Sequence, residues 1–379
     1  MSITHLLAGL AAVTLIVVII WDAFETILVP RRIGRRVRLT RYFYLVTWRV
    51  WRALASRIRK PSRRESLLGF FGPLSLILLL SCWASGLILG FALLAFATGS
   101  RTVASLGDAG LLLYMSGETF FTLGYGDFTP GTILGRVFAV VEAGLGFGFL
   151  GTVVGYLPTM YGAFAQREIE IALMDARAGS PPTAAEFLRR TACAGGVALS
   201  DDQLAAWERW SAQLLETHIS YPQLAYYRSQ HSNQSWLASL TAILDTTSLI
   251  LARSGGTASP QAQLTFAMAR HALVDITQVF VRRYPGGAPD RLKSEGLSLL
   301  RSRFADSALQ LPADAAFEAR LAELRLKYEP YAQALASYLM FELPPWVHAQ
   351  ARRDNWQGGP WDRLVSTKQG GAQRTEEHF

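Results

Sequence analysis

Six consecutive residues, Thr122 to Asp127, read T-L-G-Y-G-D and could together hold a dehydrated cation. Such an ion needs a cage of oxygens in place of its water, and inward-pointing backbone carbonyls and the Thr122 hydroxyl can supply one. Gly124 and Gly126 tolerate backbone angles that other residues resist, which lets successive carbonyls face one axis. Tyr125 between them can pack outward and brace the segment. One chain offers one side of the cage, so we expect four chains around an axis.

The surrounding sequence, from Leu67 to Gly162, resembles the tetrameric potassium channels, whose filter reads T-V-G-Y-G. The run Glu118-Thr119-Phe120-Phe121-Thr122 is similar to the bacterial E-T-x-x-T run, and Tyr114, Thr129-Pro130 and Gly135-Arg136 have family-like spacings. The resemblance implies a homotetramer that conducts K⁺, with a filter formed by Thr122, Leu123, Gly124, Tyr125 and Gly126. Leu123 replaces the commoner valine, which leaves a non-selective cation channel open as an alternative.

Two carboxylates flank the filter segment. The resemblance implies that Glu118, in the pore helix, pairs with Asp127 at the outer mouth and clamps the filter from behind. Because two close carboxylates cannot comfortably both ionise, we expect one to hold a proton and donate it to the other. The alternative is that Asp127 only attracts cations at the entrance.

Three further residues are candidates for gating. Glu142 is an acid at membrane depth, so we expect it to face protein behind the filter and to pair with a polar neighbour. Gly146 lies ten residues after Arg136, where similar channels often place a hinge glycine, and Pro158 could add a second bend because it lacks a backbone donor. The alternative for the glycine is close helix packing.

The elements that must position these residues are membrane helices. Apolar runs of more than the roughly 20 residues that cross a bilayer predict spans at Ile3–Val29, Leu67–Ala97 and Ile133–Tyr161. A pore helix is predicted at residues 109–121, before the filter at 122–127. Of the 15 Lys and Arg residues in positions 1–162, 13 lie between Arg31 and Arg64. The positive-inside rule therefore places the N-terminus outside and the C-terminal part in the cytoplasm, in a plasma membrane, with the Ala- and Arg-rich composition suggesting a bacterial inner membrane.

The basic linker itself is predicted to be an amphipathic helix, Arg38–Lys60. Its apolar residues repeat at three- and four-residue steps, and its arginines gather elsewhere on the helical wheel. The net charge of +8 lies wholly in the membrane half, since residues 163–379 hold 22 cationic and 22 acidic side chains. We therefore expect anionic lipid, bound through the Arg31–Arg64 region, and no nucleic acid as the partner. The helix is either coupled to the pore or only a topology anchor.

The predicted fold class is an all-α membrane protein with a channel-type pore, one additional N-terminal span and a helical cytoplasmic domain. The predicted divisions are 1–30 (span), 31–66 (basic linker), 67–162 (pore domain), 163–343 (helical domain) and 344–379 (mobile tail). In the helical domain, helices are predicted at 163–178, 184–194, 201–218, 221–231, 235–252, 260–283, 290–310 and 313–342. The apolar run Trp236–Leu251 raises a fourth span, but Asp245 favours a buried soluble helix.

The sequence contains no nucleophile motif, metal cluster or phosphate loop, so we expect neither an enzyme nor an organic cofactor. The G-x-G-x-x-G match at Gly146–Gly151 lies inside an apolar span, without the strand that a dinucleotide site requires. We expect the helical domain to assemble or gate the pore. The alternative is a sensor for a metabolite or protein, with the pore as its output.

Overall fold

The computed structural model describes residues 3–29, 38–98, 109–193, 200–231, 233–254, 259–281, 283, 286, 289–305, 309–350, 354 and 361. Over these residues the chain is helical and contains no β-strand. Three of the helices are long and apolar enough to cross a membrane, so the protein is an all-α membrane protein. The chain forms two compact units, residues 1–162 and 163–379, and each is described by itself.

The first unit is built from five helices, of which the last continues into the second unit. They are α1 (Ile3–Ile27), α2 (Leu39–Ser56), α3 (Pro61–Ala97), α4 (Ala109–Phe120) and α5 (Ile133–Ala178). The predicted spans correspond to α1, α3 and the first part of α5. Helix α3 begins six residues before the predicted Leu67, because Pro61 is favourable in the first turn of a helix.

Helix α3 is the scaffold of the first unit, because α1, α2 and α4 all pack against it. Small residues allow α1 to approach closely: a methyl group at Gly86 would lie 2.3 Å from Ile19 Cδ1, and one at Gly90 would lie 2.6 Å from Ile16 Cγ1. Leu79, Trp83, Leu87 and Phe91 of α3 form the core of this contact together with Phe120 from the end of α4. The residues behind the filter segment therefore share one apolar cluster with the N-terminal helix.

Helix α5 is longer than predicted. The sequence suggested a break near Gly162, with a separate helix at 163–178, whereas the structure has one helix of 46 residues. A single glycine costs a helix only about 1 kcal/mol, and the good helix formers that follow Gly162 offset this cost. Pro158 lies inside this helix without ending it.

The second unit contains the end of α5 and further helices arranged around a buried one. They are α6 (Ala184–Cys193), α7 (Asp201–Ser220), the short 3₁₀ helix η1 (Pro222–Tyr226), α8 (Trp236–Arg253), α9 (Pro260–Phe280), α10 (Ser294–Arg303), α11 (Ala315–Leu326) and α12 (Glu329–Leu339). Every residue of α8 from Trp236 to Leu249 is buried. Asp245 forms a bidentate ion pair with Arg291 at 2.7 and 3.1 Å and accepts a hydrogen bond from Tyr328, so its charge is compensated. Helix α8 is thus a buried helix of this domain and not a fourth span.

Three of the predicted helices of this unit were wrong in extent. The helix predicted at 221–231 is only the 3₁₀ turn η1, and the one predicted at 290–310 is limited to α10. The helix predicted at 313–342 is two helices, because the chain turns at Lys327-Tyr328 and restarts with Pro330 in the first turn of α12. Proline has no amide hydrogen to donate, so it starts a helix more readily than it continues one.

The tail predicted to be mobile from Pro344 begins too early. Trp346 is almost fully buried, and its carbonyl accepts a hydrogen bond from the Ala185 amide. The Pro344 carbonyl accepts from Arg291, and Asp354 forms a 2.7 Å ion pair with Arg190. The polar composition of this segment concealed one large apolar anchor, and a buried Trp side chain contributes several kcal/mol. The remaining predicted tail lies largely outside the described residues.

Candidate ion-conduction site

The candidate filter segment begins where pore helix α4 ends. The Thr122 amide donates to the Thr119 carbonyl at 3.1 Å, and the Leu123 amide donates to the Glu118 carbonyl at 2.9 Å. These two bonds close the helix and lead the chain into a segment without regular structure. The backbone angle φ is positive at Thr122 (54°), Gly124 (67°) and Gly126 (77°), but not at the two residues between them.

This alternation explains the composition of the segment. Glycine adopts positive φ without a steric penalty, and two of the three positions are glycine. Thr122 is the exception, and holding a non-glycine residue there costs of order 1–3 kcal/mol. Backbone that alternates between left- and right-handed conformations presents successive peptide groups to the same side, as in the anion-binding nests. Here the same alternation can align carbonyl oxygens.

The carbonyl oxygens of residues 122–126 accept no hydrogen bond from any described part of the chain. Buried backbone carbonyls are almost always paired, so once the segment is enclosed at membrane depth these five acceptors need ions, water or another polar partner. The Tyr125 and Leu123 side chains are 71 % and 53 % exposed in the single chain. The segment is therefore incomplete in one chain, both in its hydrogen bonding and in its packing.

Glu118 anchors the segment from behind. Its side chain is buried, and Oε1 accepts a hydrogen bond of 3.0 Å from the Gly126 amide. The other oxygen, Oε2, is buried and has no hydrogen-bond partner among the described residues. Glu118 thus holds the last glycine of the segment against the pore helix.

The direct carboxylate pair implied by the resemblance is absent from the described chain. Asp127 is exposed, and its Oδ1 accepts a 3.1 Å hydrogen bond from the Phe128 amide. Glu118 instead accepts its hydrogen bond from the Gly126 amide. Tyr114 packs edge-on against Phe128, with 5.7 Å between ring centroids, and so braces the loop beyond the segment.

Glu142 has the polar neighbour that its position led us to expect. It is buried in α5 and in hydrogen-bond contact with Ser116 of the pore helix, whose hydroxyl also lies 2.8 Å from the Ile88 carbonyl of α3. A serine hydroxyl has one hydrogen and cannot donate to two acceptors. Both contacts are satisfied when the Glu142 carboxyl carries a proton and donates to Ser116, which donates to Ile88. Ser116 was missed in the sequence, although a polar residue in an apolar pore helix is a detectable signal.

Gly146 lies against the end of the pore helix. A methyl group there would be 2.0 Å from the Phe120 carbonyl oxygen and 2.8 Å from its carbon. Four other glycines of α5 differ, because a methyl group on any of them would meet nothing within 4 Å in the chain; they are Gly144, Gly148, Gly151 and Gly155. The structure therefore gives Gly146 a packing role, which was the alternative to a hinge. The gating roles of Gly146 and Pro158 stay predictions.

Other chemistry has little support in the described residues. No group of three or more His, Cys, Asp or Glu side chains there could hold a metal ion.

One buried polar cluster was missed entirely in the sequence. Asp22 and Glu25, the acids of the apolar helix α1, are both buried, and the rule that intramembrane acids mark functional positions would have identified them.

Comparison with known proteins agrees with this geometry. A family model described as an ion channel matches residues 77–162. The matched range contains most of α3, the pore helix, the segment 122–127 and the part of α5 that belongs to the first unit. Neither the curated proteins nor the solved structures that were compared gave a match. The family match and the site geometry together support a pore-type ion channel.

Proposed function

We propose that four copies of the chain surround an axis and conduct K⁺ through the carbonyl oxygens of Thr122 to Gly126. The observation that carries this proposal is the row of unpaired carbonyls on backbone with alternating φ. Four such rows around an axis supply successive cages of oxygens, and a dehydrated K⁺ fits cages of this kind. Ions move between neighbouring cages, so no chemical turnover is involved.

The reversal potential of the purified protein in planar bilayers tests selectivity. With K⁺ and Na⁺ at unequal concentrations on the two sides, a K⁺-selective pore reverses near the K⁺ equilibrium potential. A reversal potential midway between the K⁺ and Na⁺ equilibrium potentials indicates the non-selective alternative. Replacing Gly126, which has φ of 77°, by alanine should abolish selectivity or current. A fully selective Gly126→Ala channel contradicts the proposal.

We also propose that the helical domain of residues 163–343 acts on the pore through α5. The end of this helix is an internal part of the second unit, with Phe164, Ile171, Met174 and Ala178 buried there. Arg167 is buried as well and donates to the carbonyls of Leu224 and Tyr227 at 2.9 and 3.0 Å. A rearrangement of the domain therefore moves the same helix that carries Gly146 and Glu142.

The test compares two arginines of α5. Arg167→Met removes the donors to two buried carbonyls, whereas Arg177→Met changes an exposed arginine ten residues further along the helix. If the domain gates the pore, the open probability changes in the Arg167 variant and not in the Arg177 variant. If it only assembles the pore, the Arg167 variant has fewer tetramers but unchanged single-channel behaviour.

We also propose that α2 contacts lipid. The helix presents three different faces. Trp48 and Ala55 are buried, with Trp48 packed on Phe71 of α3; a second face is basic, and a third is apolar and exposed. The basic face consists of Arg41, Arg49 and Arg52, and the exposed apolar face consists of Tyr42, Val46, Val50 and Leu54. This combination suits the interface of an anionic bilayer, where each nearby cation contributes about 1 kcal/mol. Co-sedimentation with vesicles does not test it in an integral protein, so a label on the helix is needed.

A further inference from the structure

A buried carboxylate joins α2 to its two neighbours, α1 and α3. Asp22 of α1 is 4 % exposed, and its Oδ2 accepts three hydrogen bonds. The donors are the Thr40 amide at 3.0 Å, the Thr40 hydroxyl at 2.5 Å and the Trp83 indole N–H of α3 at 3.1 Å. Residues separated by 18 and 61 positions in the chain thus converge on one oxygen.

The Thr40 amide lies in the first turn of α2, where a backbone N–H has no acceptor within its own helix. The first turn of α2 contains no acidic residue, and Arg38 at the N-cap position makes no capping bond with its side chain. A helix start needs an acceptor for its free N–H groups, and an anion is favoured there by the helix dipole. Asp22 supplies both from a different helix.

A second set of contacts lies beside the first. The Arg38 guanidinium donates to the Thr26 hydroxyl at 3.0 Å and lies 3.5 Å from the Glu25 carboxylate. The Thr26 and Thr40 hydroxyls are 3.1 Å apart. The end of α1 and the start of α2 are therefore connected by a continuous polar cluster. The other end of α2 is held by the Trp51 indole, which donates to the Leu67 carbonyl of α3 at 3.0 Å.

We propose that Asp22 is a positioning residue that makes the N-terminal helix α1 part of the lipid-contacting apparatus, by fixing α2 with its apolar face toward the bilayer interface. This inference rests on the proposed lipid contact of α2. It gives α1 a role beyond that of a membrane anchor, because the helix supplies the cap that α2 cannot provide for itself. Trp83 links the same carboxylate to α3, which packs on the pore helix.

The test follows the location of one residue of α2. A nitroxide is attached to Val50→Cys, a position 56 % exposed on the apolar face, in full-length protein whose Cys82 and Cys193 are replaced by alanine. The protein is reconstituted in vesicles of phosphatidylcholine and phosphatidylglycerol. Collision of the label with oxygen, which concentrates in lipid, is compared with collision with an aqueous nickel chelate.

In the labelled protein without a further substitution, the nitroxide should collide more with oxygen than with the nickel chelate. Asp22→Ala should lose this preference, because α2 then lacks its cap. Thr40→Val should weaken it, because the hydroxyl bond to Asp22 is lost while the backbone amide still donates. Asp22→Asn should retain it, since its remaining oxygen can still accept from the three donors. Thr14→Val is the matched control, because among the described residues the Thr14 hydroxyl donates only to the Leu10 carbonyl within α1.

The possible failures are distinguishable. A label in water in the unchanged protein overturns the lipid contact itself and the inference with it. A label in lipid that stays there in both Asp22→Ala and Thr40→Val overturns the role of Asp22 and leaves the lipid contact intact. Thr40→Val removes a single hydroxyl, so it remains informative if Asp22→Ala does not fold. Conduction is not measured, so a non-conducting or non-selective channel affects neither result.

Discussion

Replacing Gly146 by alanine separates close packing from hinge bending. The added methyl group would lie 2.0 Å from the Phe120 carbonyl oxygen and 2.8 Å from the carbonyl carbon, and both are backbone atoms that no rotamer change can move. Because a close-packed interior tolerates no such overlap, the separation of α5 from the end of the pore helix must increase by about 1 Å. Phe120 directly precedes the turn into the filter segment, so the displacement acts on the site itself.

The expected cost follows from two opposing terms. Overpacking of this kind costs about 1–3 kcal/mol, and a clash with backbone belongs at the upper end. Alanine is also a better helix former than glycine, which returns about 1 kcal/mol. We therefore expect Gly146→Ala to destabilise the protein by about 2 kcal/mol. Gly144→Ala, whose methyl group meets nothing within 4 Å in the chain, should lack this penalty.

The assay combines unfolding with conduction. Guanidinium unfolding in detergent gives the stability of each variant, and single-channel recording gives the open probability. Packing at Gly146 predicts loss of stability, accompanied by disturbed selectivity because the filter follows Phe120. A hinge predicts altered opening at unchanged stability. A Gly146→Ala protein as stable as Gly144→Ala would falsify the packing argument.

Three further predictions concern buried polar and aromatic groups. Ser116→Ala should cost about 1–3 kcal/mol of stability, because it leaves the buried Glu142 carboxyl without its partner. Glu142→Gln keeps a donor and should conduct normally. If Ser116→Ala is as stable in denaturant as the unchanged protein, the proposed hydrogen-bond chain is contradicted. Burial lowers the pKa of His218 to about 3. Below about pH 6.5 this histidine is therefore protonated in the unfolded state but stays neutral in the folded state. The second unit should therefore lose about 2 kcal/mol between pH 7 and pH 5, a loss that His218→Phe should not show in parallel melts. Trp346→Ala should cost about 3–5 kcal/mol and expose the C-terminal segment to limited proteolysis, and an unchanged digestion pattern would show that the segment is held by its polar contacts.

The sequence predicted what depends on neighbouring residues. Apolar length alone located the three helices that are able to cross a membrane. The glycine spacing of the filter segment anticipated positive φ at Gly124 and Gly126. The buried charge at Asp245 was correctly taken as evidence against a fourth span, because an unpaired carboxylate is costly in lipid and a paired one is tolerated in a protein core.

Partners that are distant in the chain could not be predicted in the same way. Glu118 was expected to meet Asp127, but its carboxylate reached a backbone amide, and only the backbone path of the loop decides between them. Asp22 pairs with Trp83, 61 residues away, and no local pattern specifies that contact. The packed segment at Trp346 was obscured by its polar surroundings, since one apolar side chain does not change the composition of a tail.

Two deficits of the single chain bear on the proposed assembly. The carbonyls of residues 122–126 have no partner in the described chain, and only 11 % of the most apolar window of α5 is buried. These deficits are physically unrelated, because one concerns unpaired polar groups and the other bare apolar surface. Lipid could cover α5, but hydrocarbon cannot satisfy a carbonyl, since every backbone polar group at membrane depth needs a polar partner. A water-filled axis surrounded by copies of the chain satisfies the carbonyls with ions and covers part of α5 with neighbouring helices. One arrangement thus satisfies the carbonyls and covers the apolar surface, which is the physical argument for an assembly of several chains over a monomer embedded in lipid.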